Sequence, residues 1–140
     1  MYAAVAVDGD ADNERLMLAA EITAAALRAR GAPGWFSEAA GRVLARQIAP
    51  EAQVLSIWDD AEVVARNSLP PSPDRLFAVG LSAEQVATAT AMLASVDREG
   101  RRLPGLVKRL DDGDDFDAAF RETYRMLPAQ MLLNWTTRGR

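Results

Sequence analysis

The sequence predicts a mainly helical domain, α+β at most, with one short N-terminal strand. Three observations carry that reading. Apolar residues recur at three- and four-residue steps through most of the chain, Gly, Pro and acidic turns cut the pattern into helix-length segments, and only residues 2–7 alternate as a strand does. The 140 residues suit a single hydrophobic core. The chain is therefore read as one domain over 1–140, which can also be part of a longer protein.

The elements follow in order. Residues 2–7 read Tyr-Ala-Ala-Val-Ala-Val, a short strand ended by the acidic turn Asp8-Gly9-Asp10-Ala11-Asp12-Asn13. From about Asp12, Leu16, Ala20, Thr23, Ala24 and Leu27 mark a helix that Gly31 stops. Ala32-Pro33-Gly34 leads tightly into a second helix from about Trp35 to Ile48, ended by Pro50, so the two helices must pack as a hairpin. Residues 53–58 read as a short extended segment, and Asp59 and Asp60 cap a brief helix through Ala65. The Pro-rich stretch 67–73 is a surface loop. Ser82 with Gln85 forms a capping-box pattern opening a long Ala-rich helix to about Asp97, closed by Gly100. Leu103, Leu106, Val107 and Leu110 share one face of a shorter helix, which the run 111–115 breaks. Residues 116–127 and 128 to about 135 make two last helices, with Pro128 at a first helical position.

Composition excludes whole classes of chemistry. With no His and no Cys, the chain has no disulfide, no imidazole or thiolate metal ligand, no cysteine nucleophile and no Ser-His-Asp triad. Carboxylates, hydroxyls, Arg, the lone Lys108 and the backbone remain. A net charge of -4 argues against nucleic acid as a partner, and Arg138 and Arg140 are too few to reverse this. No apolar run is long enough to insert in a membrane and no secretory signal opens the chain, so a soluble protein is expected, with the cytoplasm favoured.

One region is more specific. Residues 18–27 (Leu-Ala-Ala-Glu-Ile-Thr-Ala-Ala-Ala-Leu) and 32–41 (Ala-Pro-Gly-Trp-Phe-Ser-Glu-Ala-Ala-Gly) resemble the peptidase MA-like gluzincin metallopeptidases. In that family the first helix carries His-Glu-x-x-His and the second supplies a Glu as the third zinc ligand. The resemblance extends through residues 76–93, 106–110 and 113–120 to Trp135, and departs at Ala39, where the family has Gly, and near Phe77, where a Tyr or Ser is expected. It implies that Ala20 and Ala24 occupy the two imidazole positions, Glu21 the general-base position and Glu38 that of the third ligand, with Trp35 and Phe36 beside the cleft. Two histidines four residues apart hold one zinc because they share a helical face, and a single carboxylate does not replace them. What the resemblance implies is a degenerate, metal-free pseudoenzyme with no cofactor.

Other patterns are weaker. Asp8, Asp10 and Asp12 resemble the start of a calcium loop, but Ala19 stands at the twelfth position. The run 111–115 reads as a helix-breaking turn, and 31–34 lacks the Lys-Ser or Lys-Thr of a phosphate loop. The last helix is rich in Met and Leu and ends in Trp135, which suits either the core or a partner. The function expected is a non-catalytic module that binds a protein or peptide partner, or a second copy of itself. The alternative is a hydrolase: either a non-metal enzyme that uses Glu21 and Glu38 as acid and base, or a peptidase active only in an unmutated or longer form.

Overall fold

The first two helices, α1 (Ala3–Ala29) and α2 (Gly34–Ile48), form an antiparallel hairpin in a computed structural model that describes residues 3–68, 71–78 and 80–138. The turn between them is set locally. Gly31, at φ +93°, lets its own N–H reach the Arg28 carbonyl while the Ala32 N–H reaches that of Leu27, the paired bonds of a Schellman end. Pro33 then lies extended before α2, and the Ser37 hydroxyl donates to its carbonyl.

Six further helices follow: α3 (Val54–Asn67), α4 (Pro73–Leu76), α5 (Ala83–Val96), α6 (Leu103–Asp111), α7 (Phe116–Tyr124) and α8 (Pro128–Arg138). Among the described residues there is no strand. The part of residues 2–7 that is described, from Ala3, opens α1, and the acidic turn expected at 8–13 is helical too. Alanines at 3, 4 and 6 favour a helix, and a lone strand has no partner here to pair with. The extended segment expected at 53–58 is likewise the start of α3. Asn13 on α1 accepts a hydrogen bond from the Val54 N–H at 3.0 Å, so the first turn of α3 is capped from another helix.

Capping read from the sequence recurs in the structure. The Ser82 side chain accepts from the Gln85 N–H and the Gln85 side chain accepts from the Ser82 N–H, at 3.2 and 2.8 Å. Asp115 accepts from the Ala118 N–H at 2.7 Å to open α7.

Packing is organised around α2, which lies between α1 and α5; α5 in turn meets α3, α4 and α8, while α6 packs on α7 and α7 on α8. The core is aromatic at its centre. Phe36 and Phe120 are fully buried, their ring centroids 5.8 Å apart and nearly perpendicular, with Trp35, Phe77, Phe116 and Tyr124 packed around them. Leu16, Ala45, Ala49, Ala52 and Trp58 form a second cluster where α1, α2 and α3 meet. Buried Asp97 ties the end of α5 to the next elements, accepting from the Arg102 N–H at 3.1 Å and the Tyr124 hydroxyl at 3.3 Å. No helix among the described residues is long and apolar enough to cross a membrane.

The α1–α2 contact is a backbone contact. A Cβ on Gly41 would stand 2.5 Å from the Ala20 carbonyl oxygen, so only glycine permits this approach. Gly105, inside α6, has nothing within 4 Å of such a Cβ. The two glycines should therefore respond oppositely in urea denaturation. Gly105→Ala stabilises by about 0.5–1 kcal/mol through helix propensity. Gly41→Ala loses that same gain to overpacking and destabilises by roughly 1–3 kcal/mol.

Tyr124 supplies a pH prediction. Burial, then the charge of Asp97 and its hydrogen bond, push the phenol well above its ordinary value of 10.0. The unfolded chain therefore ionises first, so this contribution to stability is complete below about pH 10 and is lost as pH rises beyond it. Denaturation midpoints measured against pH should fall less steeply above pH 10 in Tyr124→Phe than in the parent.

Candidate functional site

The hairpin places the positions that the metallopeptidase resemblance singles out, and they do not open onto a common cleft. Ala20 lies at the Gly41 contact and Ala24 is buried, both on the α1 face that closes against α2. Glu21 is exposed on α1. Glu38 is half-buried and forms an ion pair with Arg28, one turn beyond Ala24. Trp35 and Phe36, expected beside a cleft, are 3% and 0% exposed and fill the core.

A zinc ion does not fit this arrangement. Ala20 and Ala24 carry no donor atom, the Glu38 carboxylate is held by a guanidinium, and the seam is too tight for a ligand sphere. Among the described residues no group of three or more His, Cys, Asp or Glu is gathered to hold a metal.

Glu38 instead begins a charged row along α2. With Arg42 and Arg46 it repeats every four residues, so all three lie on one helical stripe. The Arg42 guanidinium sits 4.6 Å from the centre of the Trp58 ring, a cation–π contact between α2 and α3. Burial pulls the Arg42 guanidinium below its ordinary range, while the Glu38 and Glu62 carboxylates oppose that pull. Arg46 holds two α3 carboxylates, pairing with Glu62 and reaching Asp59 at 3.1 Å. The Arg46 and Glu62 side chains are 19% and 11% exposed, so this pair, unlike Arg28–Glu38, is largely removed from water.

Beyond Arg46 the surface opens. A groove of about 840 Å³ runs between the end of α2, α3 and α5, with Arg46, Glu62 and Arg66 along it and Arg98 at the α5 end. It meets a smaller cavity of about 350 Å³ against α8, where Met126, Met131 and Trp135 supply an apolar lining; Arg66, Ser95 and Val96 border both. Arg66 and Arg98 form no ion pair among the described residues, whereas the charge of Arg46 is met by Asp59 and Glu62. Arg46, Arg66 and Arg98 against Asp59 and Glu62 leave the groove with a surplus of one positive charge, a local reversal of sign in a chain whose net charge is -4.

The groove mixes charged side chains with apolar ones such as Leu55 and Val63. Its one hydroxyl nearby, on Ser95, donates to the Met92 carbonyl at 2.6 Å and has no base beside it. Another groove, of about 620 Å³, lies between α3, α4 and the start of α5, where the Ser82 and Gln85 side chains are already engaged in their capping box. Sequence reasoning found Glu38 but not its row, because nothing in the linear order says that Arg42 meets Trp58 or that Arg46 meets Glu62. The four-residue repeat Glu38, Arg42, Arg46 was the available signal.

The Arg46–Glu62 pair sets up a double-mutant test. Glu62 has Arg46 as its ion-pair partner, whereas Arg46 also reaches Asp59, so Arg46→Met alone strands a largely desolvated carboxylate and should destabilise by about 3 kcal/mol in chemical denaturation. The double variant Arg46→Met/Glu62→Leu should recover most of that loss, because a well-packed apolar pair carries no desolvation cost.

Comparison of the chain with protein-family models, with curated proteins and with solved structures gave no match.

Proposed function

We propose that this chain is a non-catalytic binding module that takes a protein partner by an acidic, partly apolar peptide segment lying in the groove between α2, α3, α5 and α8. The carrying observation is that Arg66 and Arg98, which form no ion pair among the described residues, line a groove that adjoins an apolar cavity lined by Met131 and Trp135, the two sharing Arg66, Ser95 and Val96. Both volumes fall in the range of ligand sites, about 300–1,000 Å³, which combine an apolar lining with a few placed polar groups.

Each part of the groove has a role in this reading. Arg66 and Arg98 orient the segment through its carboxylates, and guanidinium groups do this well because their planar N–H array matches a carboxylate. The Met126, Met131 and Trp135 cavity takes an apolar side chain, with methionine adapting to its shape. Arg46 stays with Glu62 and Asp59, stiffening the wall rather than binding. The metallopeptidase resemblance is compatible with such a module as a matter of descent, and no catalytic step is assigned to Glu21 or Glu38.

Fluorescence anisotropy with a labelled twelve-residue peptide of alternating Glu and Leu pairs tests the reading. Micromolar binding is expected, weakening as salt rises and absent for the same peptide with Lys in place of Glu. Arg66→Ala and Arg98→Ala should each weaken binding by about threefold, as rim charges do, while leaving the fold unchanged. Equal affinity for the Glu and Lys peptides, or an unchanged affinity in the double variant, contradicts the proposal.

A further inference from the structure

We infer that Met126 is an oxidation site: a peroxide converts its thioether to the sulfoxide, and the sulfoxide closes the apolar end of the groove to its partner. The inference rests on the peptide reading of that groove and adds its regulation.

The link between the last two helices places the sulfur. Arg125 ends α7 in the left-handed region at φ 65°, and Met126 follows it, just before α8 begins at Pro128. Met126 is half-buried; it packs against the core and lines the 350 Å³ cavity together with Met131 and Trp135. Its Sδ accepts a hydrogen bond from the Asn134 Nδ2 at 3.6 Å. Asn134 is exposed and lines the same cavity, so the sulfur lies near the surface and not deep in the core. Met92 and Met131, by contrast, are 0% and 1% exposed. Met17 is exposed on α1 but lines neither the groove nor the cavity.

The chemistry needs a hydroperoxide as oxidant. A sulfur lone pair attacks the peroxide oxygen, the O–O bond breaks as the S–O bond forms, and hydrogen peroxide leaves as water. Sulfur is oxidised by two electrons and the peroxide is reduced by two. The flexible apolar side chain becomes a polar one. Asn134 already donates toward the sulfur, and the new oxygen is a far stronger acceptor for that N–H than a thioether. The sulfoxide is thereby held at the cavity wall, where it presents a polar group to a space that takes an apolar side chain.

Peroxide titration of the full chain, followed by peptide mass mapping and by anisotropy with the Glu-Leu peptide, tests this regulation. Met126 and Met17 should each gain one oxygen at least about tenfold faster than Met92 and Met131. Chain oxidised at Met126 should bind the peptide at least about fivefold more weakly, and methionine sulfoxide reductases for both sulfoxide epimers should restore the affinity. In Met126→Leu, read against its own untreated form, the same peroxide dose should change affinity by less than about twofold, although Met17 still oxidises. Untreated chain that binds no peptide overturns the groove reading and this regulation with it. Where untreated chain binds, three results overturn the regulation alone: Met126 oxidising no faster than Met131, full sulfoxide at Met126 with unchanged affinity, or an equal loss in Met126→Leu.

Discussion

The close approach of α1 and α2 at Ala20 and Gly41 is the contact on which the remaining structure depends. A glycine inside a helix costs about 1 kcal/mol of propensity, and here that cost is offset by two backbones meeting where any Cβ would intrude. The approach brings Leu16 onto Ala45 and Ala49, and so builds the cluster that seats Trp58 and starts α3. It also brings Asn13 to the first turn of α3, where it supplies an acceptor that no neighbour in sequence provides. On the other side, α2 turns Trp35 and Phe36 toward α7, and the aromatic core forms around them. Small residues at 20 and 24 on α1, and at 39, 40, 41 and 45 around α2, thus let α2 sit close between α1 and α5.

The charged row along α2 follows from the same geometry. Once Gly41 faces α1, residues 38, 42 and 46 are carried to another side of the helix, where Arg28 of α1 meets Glu38 and α3 meets Arg42 and Arg46. Pairing satisfies each of these groups to a different degree. Arg28–Glu38 is open to water and contributes little, whereas Arg46–Glu62 is mostly desolvated and is costly to break. Arg66 and Arg98 remain beyond the end of this network, which gives the groove its sign.

Local signals in the sequence were legible and distant ones were not. Gly31, the Ser82–Gln85 box, the break at 111–115 and Pro128 each encode a helix end within a few residues, and the helices begin or stop there. The segment 2–13 misleads because alternating Val and an Asp-Gly turn look like a strand and its end, while the choice between strand and helix depends on whether another strand exists to pair with it. Residues 53–58 look extended because the cap of α3 comes from Asn13, forty-one positions away. The short α4 was hidden by prolines, although Ser72 accepting from the Arg75 N–H and Pro73 in the first turn are ordinary helix-start chemistry. For the site, sequence reasoning placed the helical hairpin. It did not reach the groove, whose residues come from α2, α3, α5 and α8 and converge only through packing.

The closed α1–α2 seam is tested most directly by installing the two histidines that the metallopeptidase resemblance would place on it. Chemical denaturation of Ala20→His/Ala24→His should be followed with and without one equivalent of zinc. A seam built on backbone contact and a buried Ala24 has no room for two imidazoles, so the variant should lose more than about 2 kcal/mol and recover none of it with zinc. Stability equal to the parent that rises further with stoichiometric zinc would show an open metal frame, and would contradict the packing described here.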